Sequence, residues 1–290
     1  MRLIDSHCHL DAGEFDADRT EVIARARAAG VFAQVVPAVT AASWPGLRDA
    51  CRLADGLHPA YGLHPMFLDQ HRPGHLDDLR EWLERERPCA VGECGLDFFV
   101  EGLDPDAQQQ YFLGQLRLAR EFELPVIVHA RRAVDAVIAA IKQIGGLRGV
   151  VHSFSGSPEQ ARQLHQLGFL IGLGGPLTYD RAQRLHRLVA SMPLEQLLLE
   201  TDAPDQPDAG IRGERNEPAR LPVILAAVAR LRGEPAEAIA AQTTANAKAL
   251  FRIGAAGKSV WIRPRRSPHL SSASSTSPAP CRPPQTRMRR

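Results

Sequence analysis

Short apolar runs alternate with longer amphipathic stretches along residues 2–251. Eight of the runs read as strands: RLIDSHC, AQVVPAV, HPAYGLH, CAVGECGLD, PVIVHA, GVVHSFS, FLIGLGG and LLLETDAP. Between them, apolar positions recur with helical spacing over residues 17–29, 43–54, 76–87, 105–122, 132–144, 158–167 and 180–190, and two more helices are predicted over 217–231 and 235–251. Several start signals agree. Asp104-Pro105, Ser157-Pro158, Glu217-Pro218 and Glu234-Pro235 each put a proline near a first helical turn.

Strands that alternate with helices have to run parallel, because each helix carries the chain back across the sheet. Eight such units in roughly 250 residues predict an α/β fold, a (β/α)8 TIM barrel. An open doubly wound sheet is the alternative. No G-x-G-x-x-G opens a helix after the first strand, and no phosphate loop of the G-x-x-x-x-G-K-[ST] type is present. The GLGG at 172–175 reads as a strand exit. From Gly254 the pattern stops and Ser, Pro and Arg dominate, so residues 1–253 read as the barrel and 254–290 as a disordered tail.

Charge changes the picture once the tail is separated. The whole chain carries +2, but the eight Lys and Arg from Gly254 onward face no acid. The body holds 27 basic and 33 acidic residues, near −6, which excludes a nucleic-acid binder that works by bulk charge. No run approaches a membrane span, and no basic-then-apolar leader opens the chain. The five cysteines lack paired spacing, which predicts reduced thiols in a cytoplasmic protein. No feature calls for an obligate protein partner.

The candidate chemistry sits where the apolar runs end. His7 and His9 close the first strand and, two residues apart, point to one side. Alone, that pair also fits a strand end with two hydrogen-bonded histidines. His64 ends the third strand, Glu93 and Asp97 the fourth, His129 the fifth, His152 the sixth and Asp202 the eighth. In a barrel these ends converge on one face, the face that carries chemistry. Burying so many ionisable groups together is costly without counter-charge, and divalent cations supply it. The donors exceed what one tetrahedral zinc needs and suit two ions with a carboxylate bridge. The body's two lysines, Lys142 and Lys248, lie in predicted helices, so the bridge falls to Glu93. Two such ions suit phosphate-ester hydrolysis, with Asp202 placed to take a proton from the attacking water. Arg131, two residues past His129, is placed to reach a phosphate oxygen. No serine triad competes, since HSFSG lacks the leading glycine of G-x-S-x-G.

The stretches DSHCHLD, GLHP, GECGLDFF, LPVIVHARR, VHSFSG, LLLETDAP and RGERNEP, in this order, resemble the TatD family of metal-dependent deoxyribonucleases, (β/α)8 barrels of the amidohydrolase-like superfamily. The resemblance spans residues 3 to about 252. It implies one metal on His7, His9, Glu93 and Asp202 and a second on Glu93, His129 and His152, with Glu93 and Asp202 catalytic. It also implies substrate contacts from His64, Arg131 and Asn216. The implied activity is hydrolysis of DNA phosphodiesters with zinc, manganese or magnesium, and the histidine-rich donors favour zinc or manganese. A small phosphoester, or another ester or amide, is the alternative substrate. The sequence departs from the family pattern at Asp205-Gln206, where an aromatic residue and Leu are frequent, and at Ser153, where Cys is common. The first change removes a base-stacking surface from the mouth of the pocket.

Overall fold

A bulge in the fourth strand shows how the sequence builds both the barrel and its chemistry. In the computed structural model, which describes residues 1–254, β4 (Ala90–Asp97) pairs with β5 (Val126–Arg131). The register runs from Val91 opposite Val126 to Cys94 opposite Val128. β4 therefore advances three residues while β5 advances two. The extra residue at Gly92–Glu93 breaks the alternation of faces. Ala90 points to the barrel interior and Val91 to the helices outside, so strict alternation would send Glu93 outward with Val91. The bulge turns it inward. Gly92 and Gly95 flank it at φ +150° and +147°, and a Cβ on either would meet β5 (Ile127 Cβ at 2.7 Å, the His129 carbonyl at 2.0 Å). Only glycine permits that approach.

The other strands are β1 (Leu3–Asp5), β2 (Val31–Pro37), β3 (Leu57–Tyr61), β6 (Gly149–Val151), β7 (Phe169–Leu173) and β8 (Leu197–Leu199). They form one eight-stranded sheet in the order β1 to β8, parallel throughout. The ends meet where Ser6 N–H donates to the Leu199 carbonyl (3.0 Å) and Asp202 N–H to the His7 carbonyl (2.9 Å). The fold is the expected (β/α)8 barrel. Its helices are α1 (Arg19–Ala28), α2 (Trp44–Cys51), α3 (His75–Glu86), α4 (Pro105–Glu121), α5 (Val134–Ile144), α6 (Pro158–Gln166), α7 (Gln183–Ser191), α8 (Leu221–Arg232) and α9 (Ala236–Phe251). Asp104 caps α4 by accepting from Asp106 N–H (2.9 Å), and Ser157 with Gln160 forms a capping box on α6. Glu217-Pro218 opens a 3-10 turn, Pro218–Arg220, and α8 follows it, four residues later than its sequence pattern suggests.

The lower interior is apolar. Ile4, Ala33, Val35, Ala60, Ala90, Ile127, Val150 and Leu198 meet there, with Leu170 against them, and the end of α9 closes them off with Ala247, Leu250, Phe251 and Ile253. Lys142 and Lys248 lie on α5 and α9, away from the site. The four described cysteines are unpaired. Among the described residues no helix is long and apolar enough to cross a membrane. The expected tail, beyond Gly254, falls outside the described residues.

Candidate active site

Two residues beyond Ile127 on the same face of β5 stands His129, and there the interior turns polar. His7, His9, His64, Glu93, His129, His152 and Asp202 all converge at this end of the barrel. Glu93 is buried at their centre. Its Oε2 lies 3.1 Å from His7 Nε2 and 3.4 Å from His9 Nε2. Its Oε1 lies 2.8 Å from His152 Nε2 and 3.3 Å from His129 Nδ1. Each carboxylate oxygen thus faces its own pair of imidazoles. Asp202 Oδ1 joins the first pair, 3.3 Å from His7 Nε2 and 3.6 Å from His9 Nε2.

The far side of the rings decides which nitrogen offers a lone pair. His9 Nδ1 donates to the Pro37 carbonyl (3.2 Å), which leaves Nε2 bare toward Glu93. His129 Nε2 donates to Asp97 Oδ2 (2.9 Å), which leaves Nδ1 bare toward Glu93 and His152. This carboxylate–imidazole pairing fixes tautomer and orientation in many metal sites. His64 is different. Its Nδ1 accepts from Met66 N–H (3.1 Å), so its Nε2 carries the proton and donates to Glu93 Oε1 (2.8 Å). It steadies the glutamate and lines the pocket.

This donor set fits divalent cations. His7 Nε2 and His9 Nε2 stand 3.2 Å apart, and His129 Nδ1 and His152 Nε2 3.3 Å apart, each pair close enough to share one cation. Glu93 Oε2 is buried with no hydrogen-bond partner. Ligand atoms of His7, His9 and Asp202, and of His7, Glu93 and His152, lie within 4.8 Å of one another in each group. The field calls for positive charge. Burial opposes protonation of His9 and His152, yet Glu93 and Asp202 raise them to about 9 and about 10. Burial likewise pushes Glu93 up, but the facing His64, His152 and His7 hold it well below the usual carboxylate range. Asp202 stays raised, because burial outweighs its histidine neighbours.

Beneath this cluster lie two further carboxyls, Asp5, which strand alternation sets on the side of His7 and His9, and Glu200, which no sequence pattern singled out. Asp5 accepts from Thr201 N–H (3.0 Å) and Thr201 Oγ1 (2.6 Å), tying β1 to the residues after β8, and burial lifts it to about 7. Glu200 accepts from Ser153 N–H (2.5 Å), and burial lifts it to about 8. Gly172 makes room for it, since a Cβ there would meet Glu200 Oε2 at 2.1 Å. Gln206 is a third feature. Its Nε2 donates to Ser153 Oγ (2.7 Å) and to Asp202 Oδ2. The two departures from the family pattern thus bond to each other and leave Asp202 Oδ1 turned toward the histidines. Ser153, Asp202 and Gln206 all hold left-handed backbone, at φ 45°, 57° and 50°.

Two of the expected substrate contacts look different in three dimensions. Asn216 is buried, and its Nδ2 donates to the carbonyls of Thr201 (2.8 Å), Asp205 (2.8 Å) and Gln206 (3.3 Å), while Oδ1 accepts from Glu217 N–H (2.9 Å). The amide is spent on holding the loop that carries Asp202. Arg131 lines the pocket, and its guanidinium lies over the ring of Phe99, 3.8 Å from its centre. The pocket has a volume of about 760 Å3 and reaches from the histidine cluster past His64 and Arg131 to Asp205 and Gln206.

The family model for TatD-related DNases matches residues 4–252. The chain is 42% identical over 258 residues to the metal-dependent hydrolase YjjV of Escherichia coli K12, covering 87% of this chain and 98% of that protein. It is 36% identical over 267 residues to the 3'-5' ssDNA/RNA exonuclease TatD of Klebsiella pneumoniae, covering 88% of this chain and all of that protein. The crystal structure of Escherichia coli YjjV superposes with a TM-score of 0.83 at 40% identity, over 87% of this chain and 98% of that one.

Proposed function

The chain belongs to the TatD-related DNase family of metal-dependent hydrolases, and on that premise we propose that it hydrolyses phosphodiester bonds of single-stranded nucleic acid with two divalent cations. One observation carries the reading. The two oxygens of Glu93 face different imidazole pairs, as a bridging carboxylate requires. His7, His9, Glu93 and Asp202 would hold one cation, and Glu93, His129 and His152 the other. Zinc or manganese suits these nitrogen-rich sets better than magnesium. Bound there, the pair would neutralise the phosphate and acidify water for attack near neutral pH.

The chain's own residues do the rest. Asp97 orients His129, and His64 steadies Glu93. With one oxygen held by Gln206 and the other turned to the reacting centre, Asp202 accepts the proton of the attacking water. Arg131, at the pocket wall, meets a phosphate oxygen, and Asn216 acts through the Asp202 loop. The same reading assigns catalysis to residues 1–253 and a cytoplasmic setting to the enzyme. A chain truncated after Ile253 keeps its turnover.

The test is turnover of a single-stranded DNA oligonucleotide and of bis(4-nitrophenyl) phosphate, with and without chelator. Cleavage of both, abolished by chelator and restored by zinc or manganese, supports the reading. Cleavage of the small diester alone transfers the activity to small phosphoesters, and turnover untouched by chelator overturns the metal assignment.

A further inference from the structure

We propose that Phe98, Phe99, Arg131 and Arg132 form a stacking and phosphate-binding platform on which a single-stranded nucleic acid leaves the active site. This deepens the nuclease reading above and rests on it. The platform follows β4 and β5. Phe98 and Phe99 are each 43% exposed, two of the six large apolar side chains left exposed among the described residues. A third, Met66, lines the pocket nearby.

The loop that displays the two rings is pinned. Asp97 Oδ1 accepts from Phe99 N–H (2.9 Å) and Val100 N–H (3.0 Å), while its Oδ2 holds His129. One buried carboxylate therefore fixes both a ligand-bearing ring and the aromatic loop, so the rings stand in a set relation to the reacting centre. The cations are fixed as well. The guanidinium carbons of Arg131 and Arg132 lie 3.8 Å and 4.5 Å from the centre of the Phe99 ring. Neither guanidinium has a carboxylate partner among the described residues. Arg215 and Arg220, beyond β8, are by contrast neutralised by Asp18 and Asp208.

Topology supplies the direction. With strands in the order β1 to β8, the loops after β4 and β5 lie across the mouth from those after β8 and β1. The latter rim is acidic where it lines the pocket, with Asp11, Glu14 and Asp205. A phosphate backbone is repelled there and drawn over Arg131 and Arg132. Bases stack on an exposed ring such as Phe98, and on guanidinium planes such as those backed by Phe99, without sequence preference, which fits a single strand of mixed sequence. The platform also explains how an acidic body accepts a polyanion. The stacking surface absent at Asp205-Gln206 is provided across the mouth, beside the cations.

The experiment compares wild type, Phe98→Ala/Phe99→Ala, Arg132→Gln and the remote surface control Leu53→Ser on a single-stranded DNA oligonucleotide and on bis(4-nitrophenyl) phosphate. In the aromatic variant the oligonucleotide KM rises about tenfold or more relative to that of the small diester. In Arg132→Gln the slope of log affinity against log salt falls by about 0.7. The control matches wild type on both substrates. Variants that leave the oligonucleotide KM within twofold, or that shift both substrates in parallel, overturn the platform while the nuclease reading stands. Wild-type protein that turns over the small diester but neither binds nor cleaves the oligonucleotide overturns both.

Discussion

The two ends of the barrel are built from the same eight strands and share almost no chemistry. At the lower end, Ile4, Ala60, Ile127 and Leu198 close on Leu250, Phe251 and Ile253 with no charge among them. At the upper end, a step of two residues along β5 turns Ile127 into His129, and the interior fills with imidazoles and carboxylates. The backbone differs too. Arg87 and Arg252 have positive φ where they cap the C-termini of α3 and α9, an ordinary helix ending. Arg132, Ser153, Asp202 and Gln206 have it in the loops of the upper end, where hydrogen bonds among Ser153, Asp202 and Gln206 hold three of them. The lower end stabilises the fold by burial, and that stability lets the upper end keep groups whose assembly costs free energy.

Mutations should separate the ends. The largest effect belongs to Glu93→Ala, which removes several kcal/mol of transition-state stabilisation. Its kcat/KM should fall roughly a thousandfold or more, with its melting temperature near that of wild type. A variant that retains a tenth of the activity would erase the distinction from the upper side. Next comes Phe251→Ala at the lower end, which leaves a cavity and costs about 3–5 kcal/mol in denaturant unfolding. At temperatures where it remains folded, its kcat should match wild type. A parallel loss of kcat would mean the two ends are mechanically coupled.

Asp97→Asn probes the boundary between site and scaffold. It weakens the orientation of His129, and metal affinity should fall about 10–100-fold in a competition titration against a chelator. Unchanged affinity would show that Asp97 serves the loop alone. The smallest effect is expected at Asp208, a buried carboxylate bonded to Arg220 Nε (2.7 Å) and Nη2 (2.9 Å). Burial pushes its pKa up, but the bonds to Arg220 outweigh this and hold it below the usual value. A lowered folded-state pKa gives stability that is fully present above the unfolded value near 3.9 and disappears as pH falls through the folded one. Asp208→Asn should therefore cost about 1 kcal/mol at pH 7 and progressively less below about pH 4. A cost independent of pH would assign the effect to packing.

The sequence made the architecture legible because barrel strands and helices announce themselves by period and by proline at helix starts. It also located the six proposed ligands, because each follows an apolar run at a strand end. What it hid depends on hydrogen bonding in loops and on local register. Alternation alone sends Glu93 outward, and only the bulge beside Gly92 brings it in. Asp97 was visible as a strand end, but its link to His129 joins two strands and leaves no local mark. Glu200 stands two residues before Asp202 in LETDAP, a clue readable only once both are known to be buried. Asn216 has the residue type of a substrate contact, yet its amide is consumed by three carbonyls of its own scaffold. Phe98 and Phe99 stand just past the fourth strand in GECGLDFF, and their exposure appears only in three dimensions.

The central claim is that Glu93 bridges two cations, and metal stoichiometry tests it most directly. Elemental analysis of the protein loaded with zinc and freed of excess should return two ions per chain, and the Glu93→Ala variant fewer than one. A single ion in the wild type, or two retained without Glu93, would contradict the account.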